Sequence, residues 1–557
     1  MKKHLIKGLA ALMTAGVLTG CSSDYLDVAP VTTASAALVE TTEEGAELAY
    51  YGICRSMYSQ YSSFYNYMFF NGEPYVSMFY GELQGEDYFS YFMLSSIATN
   101  GTGENNRLQS GWVPTMAWNY CYNLINQANA ILVNIDNIPG DEQNLMGIKA
   151  KCLTLRAHAY VRLLQIYAPR WEDSNEGEKM VAPLRVVPGT GDIPLSSMND
   201  ILARIYDDIS EAEKLYTDYE VDRYFNWEPN IDVARGILVR AALIKHDWPT
   251  AQAKAKAARA DYPIMTAEEY KGGFANANKE WMWNNAAESD GIYYAAHGSV
   301  YACNGPYPGV WNLGAGAINY QTYKKIPAGD VRADLFFTPD KLNSNLVRPA
   351  HFWNKNYITP GTMDLRTANQ LMIGQVNLFC EEHYPTDTSV QWNPPYTNFQ
   401  TGTNDGVYCG FGAQFKFWGM EDFGTNSFPF MRGAEMLLAE AEAAYYNGDE
   451  TTAINNLLEL NAQRNPNYTC NKTGEFLLNE IRIQRRIELW GEGHNWFDFK
   501  RWNLPINRTA WKEGDVNSNN VPEAYSKSLP ASDPSWRYIV PNSETQYNMA
   551  IDRSLLD

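Results

Sequence analysis

Along most of the chain, apolar residues recur every three to four positions, and the stripes they draw predict helices. Over 112–138, Tyr120, Leu124, Ala128, Ile131, Leu132 and Ile135 share a face. Over 146–167, Cys152, Leu155, Ala159, Leu163 and Ile166 do the same, until Pro169 stops the pattern because its ring clashes within a helix. Further helices are expected near 43–58, over 198–216 through Ile201, Ile205, Ile209 and Ala212, and over 231–245. The turn His246-Asp247-Trp248-Pro249 leads into an alanine-rich helix over 250–260, with Pro249 suited to a first helical position. The layout returns at 432–446, where Ala434, Leu437, Leu438, Ala441 and Tyr445 form a stripe. The turn Asn447-Gly448-Asp449 follows, then a helix over 450–464 with Ile454, Leu457 and Leu458. Paired helices with small facing residues and a short polar turn make a tetratricopeptide-like hairpin. A mostly α fold is expected, with such hairpins stacked into a right-handed curved scaffold over about 43–260 and 428–502.

Two regions break the period. Residues 59–92 crowd aromatics such as Tyr61, Phe64, Tyr65, Tyr67, Phe69, Phe70, Tyr75, Phe79, Tyr80 and Tyr88 between turn-forming Gly72, Pro74, Gly81 and Gly85. Residues 261–427 are rich in Gly, Asn, Pro, Tyr and Trp and read as a long irregular insertion with short strands. Loops of that length in a compact chain usually carry function. Near the end, 481–502 reads IRIQRRIELWGEGHNWFDFKRW. Ile483, Ile487 and Trp490 fall on one helical side, with Arg486 in reach of Glu488 or Trp490. Gly491 and Gly493 end the helix. Trp496, Phe497, Phe499 and Trp502, interleaved with Asp498, Lys500 and Arg501, suggest a packed strap across the scaffold. His494 beside Glu492 reads as structural.

The amino terminus carries Lys2, Lys3 and Lys7, an apolar run over 9–18 and Leu18-Thr19-Gly20-Cys21. A basic start, a short apolar core and small residues before a cysteine fit a secretory leader over 1–20 with a lipobox. The run is too short to span a bilayer. Cys21 is therefore expected to be the acylated first residue of the mature chain, followed by a tether over 22–42. Several acyl chains hold firmly, at about 0.8 kcal/mol per buried methylene.

Charge and composition narrow the function. Removing the three leader lysines takes the formal net charge from −20 to −23, which argues against nucleic acid and against docking on anionic lipid. Aromatics reach 13% of residues, with 37 Tyr and 16 Trp, more than packing usually requires. Eight cysteines include Cys21. Cys121 and Cys152 lie in apolar helical stretches and read as buried thiols. No CxxC or paired-histidine spacing suggests a metal, and no cofactor is expected. No GxSxG, HExxH, Walker loop or dinucleotide fingerprint follows a suitable strand. A glycosidase needs two carboxylates about 5 to 9 Å apart, but 64 acidic residues single out no pair. Glu435, Glu440 and Glu442 read as solvated or capping groups on a scaffold helix. Catalysis is not expected.

Binding suits the composition better. Sugar rings present apolar faces and hydroxyl rims, so a binder needs flat aromatics and amides rather than a nucleophile. The two irregular segments, 59–92 and 291–353, supply both. Tyr65, Tyr67, Tyr80, Tyr307, Trp311 and Trp353 are the candidate stacking platforms, and Asn66, Asn71 and Asn304 the polar contacts. The competing assignment for each is core packing or a protein contact.

Within 481–502, Arg485-Arg486, Glu488-Leu489, Glu492-Gly493, Phe497-Asp498 and Arg501-Trp502 follow one another in an order that resembles the carboxyl-terminal signature of the SusD/RagB family of surface nutrient-binding lipoproteins. Gln484 and Asn495 depart from it, where the family often has Glu and Arg. Tyr25-Leu26-Asp27 with Pro30 resembles the start of the family's mature chain, and Asp24 its outward-sorting acidic residue. Glu280-Trp281-Met282-Trp283 resembles a family strand in which the tryptophans pack, and Asp330-Val331-Arg332 a structural ion pair. The resemblance implies one SusD-like domain over 43–557, with the ligand site carried by the 261–427 insertion. It also implies a glycan or oligosaccharide ligand, held by aromatics from roughly the two irregular segments. The partner it implies is a SusC-like TonB-dependent barrel, on which the protein sits as a hinged lid at the outer face of the outer membrane. A peptide importer, and a helical scaffold binding only protein, are the alternatives.

Overall fold

The computed structural model describes residues 41–58, 72–90, 108–274, 276–285, 316–336, 412, 414, 416–417, 427–512, 514–515, 517–521 and 523–556. The helical stripes become α1 (Glu43–Tyr58), α2 (Glu73–Val76), α3 (Trp112–Leu132), α4 (Glu142–Tyr167), α5 (Met198–Asp218), α6 (Ile231–Lys245) and α7 (Trp248–Ala258). After the short α8 (Ala267–Gly272) and α9 (Tyr320–Tyr323) come α10 (Gly433–Tyr446), α11 (Glu450–Ala462), α12 (Gly474–Glu488), α13 (Asn495–Arg501) and α14 (Asn542–Thr545). A π-helical turn, Ser77–Glu82, follows α2 directly. The fold is mostly α, as the periodicity indicates.

Strands serve only as clasps. Among the described residues they form antiparallel pairs: β1 (Tyr88–Ser90) with β5 (Gly316–Ile318), β2 (Met180–Pro183) with β3 (Leu195–Ser197), β4 (Trp281–Asn284) with β6 (Pro429–Arg432), and β7 (Ile506–Arg508) with β8 (Lys527–Leu529). Trp281 and Trp283 are buried in β4 as packing residues.

Helices pack in chain order: α3 on α4, α4 on α5, α5 on α6, α6 on α7 and α10 on α11, with α12 closing against α10 and α11. The alanine-rich α7 also packs directly on α10, so the stack continues across the irregular region between them. Ala251, Ala255 and Ala258 of α7 are fully buried, and their small side chains let three helices approach. The two hairpins turn alike. A left-handed residue, His246 (φ 60) or Gly448 (φ 80), ends the first helix. The amide of the next residue then donates back five residues, Asp247 to Ala242 and Asp449 to Ala444. That Asp caps the second helix through Thr250 N or Thr452 N. This is the Schellman closure followed by an N-cap. Trp248 rather than Thr250 opens α7, with Pro249 in its first turn.

Three expectations change. The expected strap is the short helix α13, which buries Trp496, Phe497 and Phe499. Glu435, Glu440 and Glu442 are not solvated but buried, each held by an arginine: Arg240 to Glu435 at 2.8 Å, Arg259 to Glu440 at 2.8 Å and Arg501 to Glu442 at 2.7 Å. Arg486 turns away from Glu488 and bonds Asp87 and Glu86 instead.

Glu488 belongs to a buried ion network at the end of α12. Arg432 donates to Glu280 (2.6 Å), Glu488 (2.9 Å) and Glu492 (2.7 Å). Arg464 grips both oxygens of Glu488 at 3.0 Å and the Met265 carbonyl at 2.7 Å. Lys416 reaches Glu492 and the carbonyls of Glu488 and Trp490. Arg332 clasps Asp330 at 2.9 and 2.6 Å, the expected structural pair, and also bonds Gln484 at 2.8 Å. Four cations thus face four carboxylates, Asp330 and the three glutamates, all within the interior. Burial alone would raise the Glu488 pKa, but Arg464 and Arg432 outweigh it and hold the carboxyl well below its usual range.

Cys54, Cys121 and Cys152 are buried free thiols, and Cys470 is a half-buried one. No described helix is long and apolar enough to cross a membrane.

Replacing Arg432 with Met strands the buried glutamates. A stability loss of about 3–5 kcal/mol is expected, read as a lower urea midpoint, and an unchanged midpoint would show that the network is dispensable.

Candidate functional site

The two aromatic-rich segments are rooted side by side. In the β1–β5 pair Ser90 lies opposite Gly316, so the chain leaves β1 toward 91 beside the point where it returns from 315. Ile318 N donates to Gly412 O at 2.9 Å, and Phe336 bridges Gln414 in antiparallel fashion. Phe336, Gly412 and Gln414 are thereby joined to this clasp. The described residues on either side of 59–71, Met57 and Tyr58 before it and Gly72 after it, come together. A Cβ on Gly72 (φ +88) would sit 2.6 Å from the Met57 carbonyl, so only glycine allows that approach.

Asp87, just before β1, fixes the clasp. Its carboxylate takes Arg486 Nε at 2.8 Å and further bonds from Arg486 Nη2, Thr322 Oγ1 and Asn495 Nδ2. Burial pushes the Asp87 pKa up, but Arg486 outweighs it, and the carboxyl sits below its ordinary value. The Asp87 carbonyl accepts from Asn319 N and from Trp490 Nε1, both at 3.1 Å. Asn319 caps α9 through Thr322 N at 2.8 Å, an Asn-x-x-Thr pattern visible in the sequence. Asn519 and Asn520 both accept from Tyr320 N at 2.8 Å. The Tyr88 ring stacks on Trp490, with centroids 5.0 Å apart and planes at 26°.

The 481–502 stretch thus serves as the base of the site. Asn495, one of its two departures from the family pattern, is used fully: its Oδ1 accepts Glu86 N at 2.7 Å and its Nδ2 binds Asp87. Gln484, the other, joins Arg332 to Glu480 at 2.8 Å each. Below them the π-helical turn meets Gly493 so closely that a Cβ on Gly81 would lie 2.2 Å from the Gly493 carbonyl. Glu82 in that turn accepts Gly493 N at 2.8 Å and His494 N at 3.1 Å. Burial, only partly offset by those bonds, pushes its carboxyl up to about 8. Arg508 ties the following loop by donating to the carbonyls of Leu83, Gly85 and Tyr88, and burial brings its pKa down to about 10.

Of the residues expected to touch ligand, Tyr80 is described, and its place is in the core. It is fully buried, donates its hydroxyl to Val113 O at 2.6 Å and meets Phe79 and Tyr538 edge-on at 5.0 and 5.2 Å. With its ring enclosed it has no face for a sugar, because the π-helical turn carries it inward. Tyr65, Tyr67, Tyr307, Trp311, Trp353, Asn66, Asn71, Asn304 and the lipidation candidate Cys21 lie outside the described residues. The sequence reading missed Asp87, Thr322 and Asn519, whose partners are remote in the chain. No cluster of His, Cys, Asp and Glu suited to a metal occurs among the described residues.

The SusD family's sequence model matches residues 297–550, and a second model, described as starch-binding associating with outer membrane, matches residues 73–240. A SusD-like carbohydrate binding protein of Bacteroides vulgatus is 21% identical, with 92% of this chain and 97% of that one covered and a TM-score of 0.66. SusD superfamily proteins of Bacteroides thetaiotaomicron and Bacteroides fragilis are 19% and 16% identical. They cover 92% of this chain and 99% and 100% of their own, with TM-scores of 0.64 and 0.62. At these identities the likeness speaks for the fold. No curated protein matches the sequence.

Replacing Glu82 with Gln tests the base of the site. A carboxyl that titrates near 8 when folded but near 4.3 when unfolded contributes stability below the lower value and loses it as pH rises through the upper one. The wild-type melting temperature should therefore fall between pH 5.5 and 8.5 by more than that of the Gln variant. Parallel pH profiles would show Glu82 to be ionised and harmless.

Proposed function

The chain belongs to the SusD/RagB family, and from that premise we propose that it captures a glycan at the outer face of the outer membrane and delivers it to a SusC-like TonB-dependent transporter. The observation that carries this reading is the clasp between β1 and β5, which pairs Tyr88–Ser90 of the first aromatic-rich segment with Gly316–Ile318 of the second. The family description, starch-binding and associated with the outer membrane, supports the ligand class and the location. In this reading the mature domain comprises 43–557, with scaffold over 43–260 and 428–502 and the binding insertion over 261–427. The acylated Cys21 anchors it in the membrane through the tether over 22–42.

The mechanism needs no reacting group. Tyr65, Tyr67, Tyr307, Trp311 and Trp353 supply ring faces to the sugars, and Asn66, Asn71 and Asn304 bond the hydroxyl rims. The rigid frame below holds the roots of these segments in place, so the ordering cost on binding falls on few side chains. The protein then closes over the barrel as a lid and presents the glycan to the lumen. We read it as a binding protein that leaves its ligand uncut.

Titration calorimetry of the chain from Ser22 onward, against plant, microbial and host glycans and a peptide mixture, tests this. One glycan class should bind and be recovered intact. Trp311→Ala and Trp353→Ala should each weaken it by about tenfold or more, the scale of losing one stacked ring and its buried area. Heat from peptides alone would replace the glycan by a peptide. Variants that bind as the wild type does would move the site off the insertion.

A further inference from the structure

A recess that shares no residue with the β1–β5 clasp opens on α3. Asn119, Tyr122, Asn123 and Asn126 line one wall, at the i, i+3, i+4 and i+7 spacing that places them on one helical face. The carboxyl-terminal turn carrying Glu544, Tyr547 and Asn548 makes the opposite wall, and Arg185 with the Gly189–Thr190 loop closes an end. The cleft is open and has a volume of about 570 Å³, within the roughly 300–1,000 Å³ of an ordinary small-molecule site.

Its chemistry is selective. The two charged side chains neutralise each other: Arg185 donates to Glu544 at 3.1 Å and to the Gly191 carbonyl at 2.7 Å. Glu544 also takes Trp118 Nε1 at 3.3 Å and Asn548 Nδ2 at 2.7 Å. No uncompensated charge is left to draw an anion or a cation. The polar atoms of the floor aromatics are spent inward, Trp118 on Glu544 and Tyr122 on the Pro183 carbonyl at 2.6 Å. What remains toward the cleft is ring surface and amide. Asn126 has its oxygen fixed by Gly189 N at 2.8 Å. The Asn123 amide nitrogen is enclosed and has no partner in the protein, a state that costs free energy and favours a turn of the side chain toward the cleft, where a hydroxyl would meet it. Tyr547 stands at the rim with 79% of its surface exposed, a flat ring with no packing duty.

We propose that this cleft is a second glycan subsite that binds a neutral oligosaccharide, with Tyr547 stacking on a ring face and Asn123 and Asn126 bonding its hydroxyls. Amides donate and accept, as hydroxyls do, and the cancelled charges select against acidic sugars and phosphates. The proposal rests on the glycan reading of the protein and adds a site outside the insertion.

The test is calorimetry of the mature protein in detergent micelles with a soluble neutral starch oligosaccharide, followed by the other neutral glycans of the panel. Two classes of site are expected. Tyr547→Ala should weaken one class by about tenfold, and Thr190→Trp, which fills the cleft from an exposed position, should remove it. Trp311→Ala should act on the other class. Both cleft variants alter exposed residues, and an unchanged melting temperature confirms their folding. A single class of site, lost in Trp311→Ala and untouched by Tyr547→Ala and Thr190→Trp, overturns the cleft and leaves the function standing. A wild-type protein silent to every neutral glycan overturns both.

Discussion

The carboxylate of Glu488 sits in the interior between two guanidiniums, Arg464 with both oxygens at 3.0 Å and Arg432 at 2.9 Å. Burying a lone carboxylate costs several kcal/mol, so this position exists only because the arginines are there. They arrive from different places: Arg464 follows α11, and Arg432 ends β6 at the start of α10. Glu280 enters from before β4 and accepts Ala434 N at the head of α10, where the helix dipole favours a negative group. An assembled network of this kind contributes little over an apolar core of the same volume, whereas a broken one costs about 3–5 kcal/mol. It therefore acts mainly against wrong arrangements. Any register of α10, α11 or α12 other than this one leaves a charge buried and alone.

That constraint reaches the ligand side through a few covalent steps. Four positions after Gln484, the chain ends α12 at Glu488, then places Trp490 under Tyr88 and Asn495 under Asp87. Arg486, on the same helix as Glu488, faces the other way and holds Asp87. One short stretch thus locks the helical stack with one set of side chains and the β1–β5 clasp with another. The residues that carry the family signature are accordingly framework residues. In the proposed reading ligand chemistry falls to segments with no fixed motif, which is why the signature identifies the family without naming a sugar.

The same division explains what could be read from the sequence. The helices at 43–58 and 231–245 have their expected ends because local signals set them: Asn230 caps α6 and His246 takes the left-handed turn. The Asp247 and Asp449 caps are equally local. The burial of Glu435, Glu440 and Glu442, expected as solvated or capping groups, does not show in the sequence because their arginines lie 195, 181 and 59 positions away, beyond any periodicity argument. Tyr80 misled for the opposite reason. Glycines on either side made its neighbourhood look like surface turns, but a π-helical turn against Gly493 buries it. Short helix α13 has too few turns for its stripe to separate from an aromatic–charge alternation, so a strap and a helix looked alike. The eight remaining ligand candidates lie outside the described residues, in stretches where the sequence offers no repeat or cap.

Where the charge resides also bears on what the protein binds. The chain is strongly acidic, at −20, yet its best-organised ionic groups are spent inside, in the Glu488 network and in pairs such as Arg240 with Glu435. The recess on α3 repeats the rule on the outside, with Arg185 and Glu544 cancelling and amides and rings left over. The excess negative charge keeps anionic ligands and anionic lipid at a distance, though only over about 8–10 Å at physiological salt. A neutral polyhydroxyl ligand feels none of that field. At the proposed subsite it meets hydrogen-bonding amides and an aromatic face, whose short range makes fit rather than charge the basis of selection.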